Sequence, residues 1–150
     1  MAYSTGTIAN YFLRKGFEAN IPITHLKLQK LVYFAHGWHL AIYKKPLIDE
    51  VIEAWPFGPV ICSLYHIYKI YGKDPIDSLL PKKEANQSID EITKALLDKV
   101  WETYGRISST DLANMTHTKD GPWYQTWIGR QRKGAEIQDN IIMHYFSKDN

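Results

Sequence analysis

The sequence predicts a mainly α fold: a compact single-domain helical bundle around a central buried helix, with one short β-hairpin or extended segment. Three observations predict it. Between Leu26 and Tyr43, twelve of eighteen residues are apolar or aromatic, and the only polar ones are Lys27, Gln29, Lys30, His36 and His39. That run is too long for a strand and holds no turn dipeptide, so its length makes it a helix. A helix that is apolar nearly all round is a buried one. Next, helix caps and stop signals recur along most of the remaining chain. Finally, strand formers set between turn formers occur in one stretch, residues 46–60.

Taken in order, Ser4 or Thr5 caps a first helix over Thr5 to Glu18, with Ile8, Tyr11 and Phe12 at helical spacing. Asn20-Ile21-Pro22 ends it, and Thr24 caps the central helix. Leu28, Leu31, Val32, Ala35 and Ile42 line one side of that helix. Lys44-Lys45-Pro46 ends it, with cations at its negative dipole end. Val51, Ile52 and Trp55 make the hairpin, punctuated by Pro46, Pro56, Gly58 and Pro59. Pro59 suits the first turn of a third helix, Val60 to Tyr71, stopped by Gly72. Residues 73–87 are polar and read as a flexible loop. Ser88 and Glu91 have capping-box spacing for a helix to Tyr104. Ser108 to Asp111 repeats the cap for a short helix to about Met115. Pro122 starts another through Trp127. Residues 129–134 are basic and expected to be exposed. Asp139 is expected to cap a last helix with Ile142, Tyr145 and Phe146 on one face.

Bulk properties narrow the function. A chain of 150 residues, 45% hydrophobic, can bury a core without staples. A net charge of +2 gives no electrostatic case for nucleic acid or an acidic membrane. One cysteine allows no internal disulfide and suits a reducing cytoplasm. No uninterrupted apolar run is long enough to span a bilayer.

Several constellations could carry chemistry. His36 and His39, with Cys62 and His66, could hold zinc if their helices faced each other. No close-spaced cysteine pair supports that, so we expect structural roles and no metal or other cofactor. Cys62, His117 and Asp120 could be written as nucleophile, base and orienter. Such a set is too loosely specified by sequence to outweigh packing roles. Residues 94–116 have the length of a helix-turn-helix, yet the second helix offers Asp111 and Asn114 and no cation. A DNA-binding regulator is thus the weaker alternative. Lys27 and Lys30 stand in the first two turns of a helix, where the dipole disfavours cations by ~0.3–1 kcal/mol each. Either they snorkel to water or they hold an acidic group, internal or on a partner.

The chain resembles a known family on three blocks. The first is Thr24, Leu26-Lys27-Leu28-Gln29-Lys30-Leu31, Tyr33, Trp38 and Leu40. The second is Pro46-Leu47, Ala54-Trp55, Gly58-Pro59-Val60 and Tyr65. The third is Leu112, Thr116-His117 and Pro122-Trp123. In order and spacing these resemble the Panacea domain, the SocA-like antitoxin family, from about Thr7 to Phe146. The resemblance implies a cytoplasmic antitoxin that binds a toxin encoded beside it. It also implies frequent phage and prophage association, the phage-borne members being called GepA. One branch of the family delivers its toxin to an ATP-dependent protease as an adaptor. No catalytic residue is carried over.

We therefore read residues 1–150 as one antitoxin-like, protein-binding domain and not an enzyme, with self-association left open. A small enzyme of unknown chemistry is the alternative from another class. Candidate partner-binding residues are Lys27, Lys30, Phe57, Trp123, Tyr124, Trp127 and Arg130, because binding surfaces expose aromatic patches. For Trp123 and Trp127 core packing is the competing role. Gln29, Tyr33, Trp38, Trp55, Gly58, Pro59, Tyr65, His117 and Pro122 are expected to shape the fold. For His117 in particular, a place beyond a helix C-terminus suits hydrogen bonding to free carbonyls.

Overall fold

The computed structural model describes residues 2–130 and 134–148, the side chain of Arg130 excepted. Its elements are α1 (Thr5–Ala19), α2 (His25–Tyr43), β1 (Ile52–Trp55), β2 (Gly58–Val60), α3 (Cys62–Tyr68), α4 (Glu91–Tyr104), α5 (Ser109–Thr116), α6 (Pro122–Arg130), β3 (Ala135–Ile137) and α7 (Asp139–Ser147). A single 3₁₀ turn, Lys69–Tyr71, continues α3. The fold is mainly α, with a small antiparallel sheet in the order β2-β1-β3.

Thr24 accepts a hydrogen bond from the Lys27 amide and so starts α2. Leu28, Leu31, Val32 and Ala35 have no exposed surface, so α2 is the core of the molecule. Its ends reach the surface: Leu26 and Tyr43 are exposed, and Ile42, expected in the core, is half in solvent. α7 lies along α2 because Gly37 makes room for the ring of Phe146; a Cβ there would collide with it. Tyr33, Phe34 and Trp38 each meet that ring edge-on. From the other side Phe34 stacks on Tyr104 of α4 at 4.2 Å, and Trp38 Nε1 donates to the Tyr104 hydroxyl at 2.9 Å. Tyr33 and Trp38 therefore belong to the seam between α2, α4 and α7. α1 contributes Ile8, Ala9, Phe12 and Leu13, all fully buried.

Several boundaries differ from the sequence expectations, each for a local reason. Pro59 does not begin a helix; it pairs with Ala54 in β2, an edge strand, where its missing N–H is tolerated. The third helix accordingly starts at Cys62. Asp90, not Ser88, caps α4: its carboxylate accepts from the Thr93 amide at 2.8 Å, while the Tyr3 hydroxyl holds its other oxygen at 2.7 Å. Gln138, not Asp139, is the N-cap of α7, without a side-chain bond. Asp139 is instead 2.9 Å from His36 Nε2. The Leu47 amide donates to His36 Nδ1 at 3.3 Å, so Nε2 carries the proton that Asp139 accepts. β3 was not foreseen; three residues are too short to show a period. Residues 73–87 are irregular but fastened. Asn10 exchanges two hydrogen bonds with the backbone of Leu80, at 3.0 and 2.8 Å, and the Ile76 amide donates to Ile23 O at 2.8 Å. In the basic stretch Gly129 is exposed, while residues 131–133 lie outside the described residues. No described helix is long and apolar enough to cross a membrane.

Candidate functional site

Three stretches far apart in sequence meet at one end of α2. Gln29 reaches from α2 to the residue after β2. Its Nε2 donates to Ile61 O at 3.1 Å, and the Ile61 amide donates to its Oε1 at 2.8 Å. These two buried bonds fix the hairpin against the helix. Trp123, on the first turn of α6 behind Pro122, donates from Nε1 to Trp55 O at 2.6 Å. His117, the C-cap of α5, stacks on the Trp123 ring at 4.2 Å, and Trp127 stacks behind it at 5.9 Å. Thr24 and Ser109 share a hydroxyl bond at 2.8 Å, so α5 starts beside the start of α2.

Gly58 lies at the centre. A Cβ there would sit 3.2 Å from Thr116 Oγ1, 3.3 Å from His117 Nε2 and 3.3 Å from Lys30 Cε. Its φ of 118° is open to glycine and strained for other residues. Gly58→Ala is therefore expected to cost about 1–3 kcal/mol from strain and crowding together, read as a fall in melting temperature.

The electrostatics are unusual for so buried a place. Lys30 is 1% exposed and Lys27 6%. Among the described residues no acid lies within ion-pair distance of either. Burial pulls the Lys30 amine down to about 8 and lowers Lys27 as well. His25 is pushed down by burial and then by the Lys30 charge. His117 is pushed down the same way, the Phe57 backbone carbonyl opposing. His25 Nδ1 is buried with no hydrogen-bond partner among the described residues, whereas the His117 ring has the Phe57 carbonyl beside it.

Over this cluster lies an aromatic surface. Trp55 and Tyr65 meet edge-on at 4.7 Å; Phe57 and His25 lie 6.4 and 6.0 Å from Tyr65, and Lys69 Nζ is 5.9 Å from its centre. Phe57 is 37% exposed, and Ile70, in the turn after α3, is 87% exposed.

Of the residues singled out from sequence, Lys27, Gln29, Lys30, Trp55, Phe57, Gly58, Pro59, Tyr65, His117, Pro122 and Trp123 are brought together here. The two lysines are buried, and among the described residues neither has an acid within ion-pair distance. Trp123 is buried, whereas Tyr124 and Trp127 are half-buried. The Arg130 side chain lies outside the described residues. His25 was missed, because nothing in the sequence shows that a residue five positions before Lys30 will be buried without a hydrogen bond to its Nδ1. Tyr33 and Trp38 stand elsewhere, as above.

Asp120 accepts from Lys148 Nζ at 2.8 Å and is not hydrogen-bonded to His117. His39 Nδ1 meets Lys45 O at 2.6 Å. Among the described residues no group of three or more His, Cys, Asp or Glu is placed to hold a metal. In α5 Leu112 is fully buried against the core. His117→Ala is expected to lower the melting temperature, since it removes an aromatic stack of ~0.5–1.5 kcal/mol. A variant of undiminished stability that has lost function would instead make His117 a contact residue.

Residues 28–124 match the family described as antitoxin SocA-like, Panacea domain. The antitoxin SocA of Caulobacter vibrioides (strain NA1000 / CB15N) is 35% identical over 150 aligned positions, which cover 93% of this chain and 80% of that protein. No solved structure matches the chain. The family match takes in α2 from Leu28 on, the hairpin and the His117–Trp123 corner. The chain belongs to the SocA-like antitoxin family and carries its Panacea domain.

Proposed function

We propose that this chain neutralises a cognate protein toxin in the cytoplasm by binding it directly, stoichiometrically and without catalysis, with residues 1–150 acting as one binding domain. One observation carries the reading. Residues of the three motif blocks meet around Gly58, next to exposed Phe57, and Lys27 and Lys30 are buried there with no acid within ion-pair distance among the described residues. A large aromatic contact at a surface favours a protein partner, and uncompensated cations favour an acidic one. Tyr124 and Trp127 extend the face along α6.

The test is co-expression. The chain is produced together with the product of the neighbouring reading frame, and growth and complex formation are followed. Rescue of a toxic product, with a stable complex on a sizing column, is the expected result. Rescue that disappears in a host lacking its ATP-dependent proteases would make the chain an adaptor. Failure of well-folded protein to bind or rescue would overturn the direct-binding reading.

A further inference from the structure

We propose that the outward side of α3 and its 3₁₀ turn, formed by Tyr65, Lys69 and Ile70 beside Phe57 of the hairpin, is the docking surface for an acidic, partly aliphatic segment of the toxin. The inference rests on the direct-binding reading and adds the surface and the partner's chemistry. Leu64 and Tyr68 are buried and fix one side of α3 to the core. At ~100° per residue, His66, Lys69 and Ile70 fall on the opposite side, and Tyr65 stands on a flank. That flank faces the hairpin: the Tyr65 ring meets Trp55 at 4.7 Å and Phe57 at 6.4 Å. Lys69 Nζ lies 5.9 Å from the centre of the same ring. Ile70 is 87% exposed, the most of any large apolar side chain among the described residues. An aliphatic chain, two adjoining rings and exposed His66 and Lys69 make an apolar patch with a charged rim, the form of a protein-binding surface.

The charge on this surface selects the partner. From Ala54 to Lys73 the chain has two cations, Lys69 and Lys73, and no acid; Asp74, past the turn at Gly72, ends the stretch. Neighbouring acids are engaged within the chain. Glu50 Oε1 accepts from the Thr5 and Ser63 hydroxyls, both at 2.7 Å, and Glu53 accepts from Trp55 Nε1 at 2.9 Å. Asp77 accepts from the Tyr71 hydroxyl at 2.6 Å. Lys30, packed under the hairpin turn at Gly58, adds positive potential from behind. Two exposed cations are too few to hold a nucleic-acid backbone or an anionic membrane, each of which needs a cluster of them. Aromatic and aliphatic groups rimmed by one sign of charge instead suit a protein segment whose apolar side chains alternate with aspartates or glutamates.

The experiment compares wild type with Ile70→Asp and Lys69→Glu. Ile92→Asp serves as control, because Ile92 is also exposed but stands on α4. Binding to the toxin identified by co-expression is measured by calorimetry at two salt concentrations, with thermal melts in parallel. We expect all three variants to melt as wild type does, since none of these side chains is buried. Ile70→Asp and Lys69→Glu should bind roughly tenfold more weakly or worse, and Ile92→Asp as wild type. Wild-type binding should weaken with salt. Folded Ile70→Asp and Lys69→Glu proteins that bind as wild type does, or equal weakening in Ile92→Asp, would overturn the proposal. If wild type binds no toxin, it is the direct-binding reading that has failed, and a second arm decides the surface. An amphipathic helical peptide of leucine and glutamate, and its leucine–lysine counterpart, are titrated while the amide signals of Phe57, Tyr65 and Ile70 are followed. Saturable shifts with the acidic peptide that are lost in Lys69→Glu support the acidic docking surface. No shift, shifts produced equally by the basic peptide, or stronger ones from phosphatidylserine vesicles or a DNA duplex would overturn it.

Discussion

Leu31→Ala is expected to lower the unfolding free energy by about 2–5 kcal/mol. Leu31 is fully buried in the first half of the helix on which α1, α4 and α7 pack. Truncation removes its transfer free energy and leaves a cavity that the surrounding rings cannot close. Phe34, stacked on Tyr104, and Phe146, wedged against Gly37, are already fixed by their neighbours. Urea denaturation with unchanged m-value measures the loss. Because a domain has only ~5–15 kcal/mol in total, this single change removes a large part of it. A loss below about 1 kcal/mol would mean that α2 is not the rigid centre described here.

Gln29→Ala is expected to cost nearly as much, about 2–5 kcal/mol, for a different reason. Its amide satisfies both backbone groups of Ile61, and all the atoms concerned are buried. Truncation leaves a donor and an acceptor without partners, at ~1–3 kcal/mol each. Gln29→Met separates this from packing, since it keeps the volume and removes both bonds. It should lose most of what the alanine variant loses. Hydrogen exchange at the Ile61 and Val60 amides should speed up in both variants, as the hairpin is no longer tied to α2. A Gln29→Met protein as stable as wild type would show that the two bonds contribute little.

The sequence by itself determined the helices and their starts wherever the signal is local. Thr24, Ser4 and Ser108 cap their helices through the next turn, and the apolar run from Leu26 marks α2 as buried. The family, too, was legible, because its motif residues are a property of the linear order. The sequence pointed to Ser88 as the cap of α4, and the structure puts Asp90 there, its other oxygen held by Tyr3, eighty-seven residues away in the chain. The same holds for Asp139, drawn from its cap to His36. β3 exists because β1 offers an edge for it, and no feature of Ala135-Glu136-Ile137 announces that.

The candidate site divides in the same way. The sequence showed that Lys27 and Lys30 stand where a helix dipole disfavours them, and no more. Whether they reach water, meet an acid or lie buried alone depends on what α5, the hairpin and the His117 corner place around them. Helix periodicity and capping act within a few residues of chain. The solvation of a charge depends on every group within several ångströms in space, and those groups come from positions as distant as 30, 58 and 117.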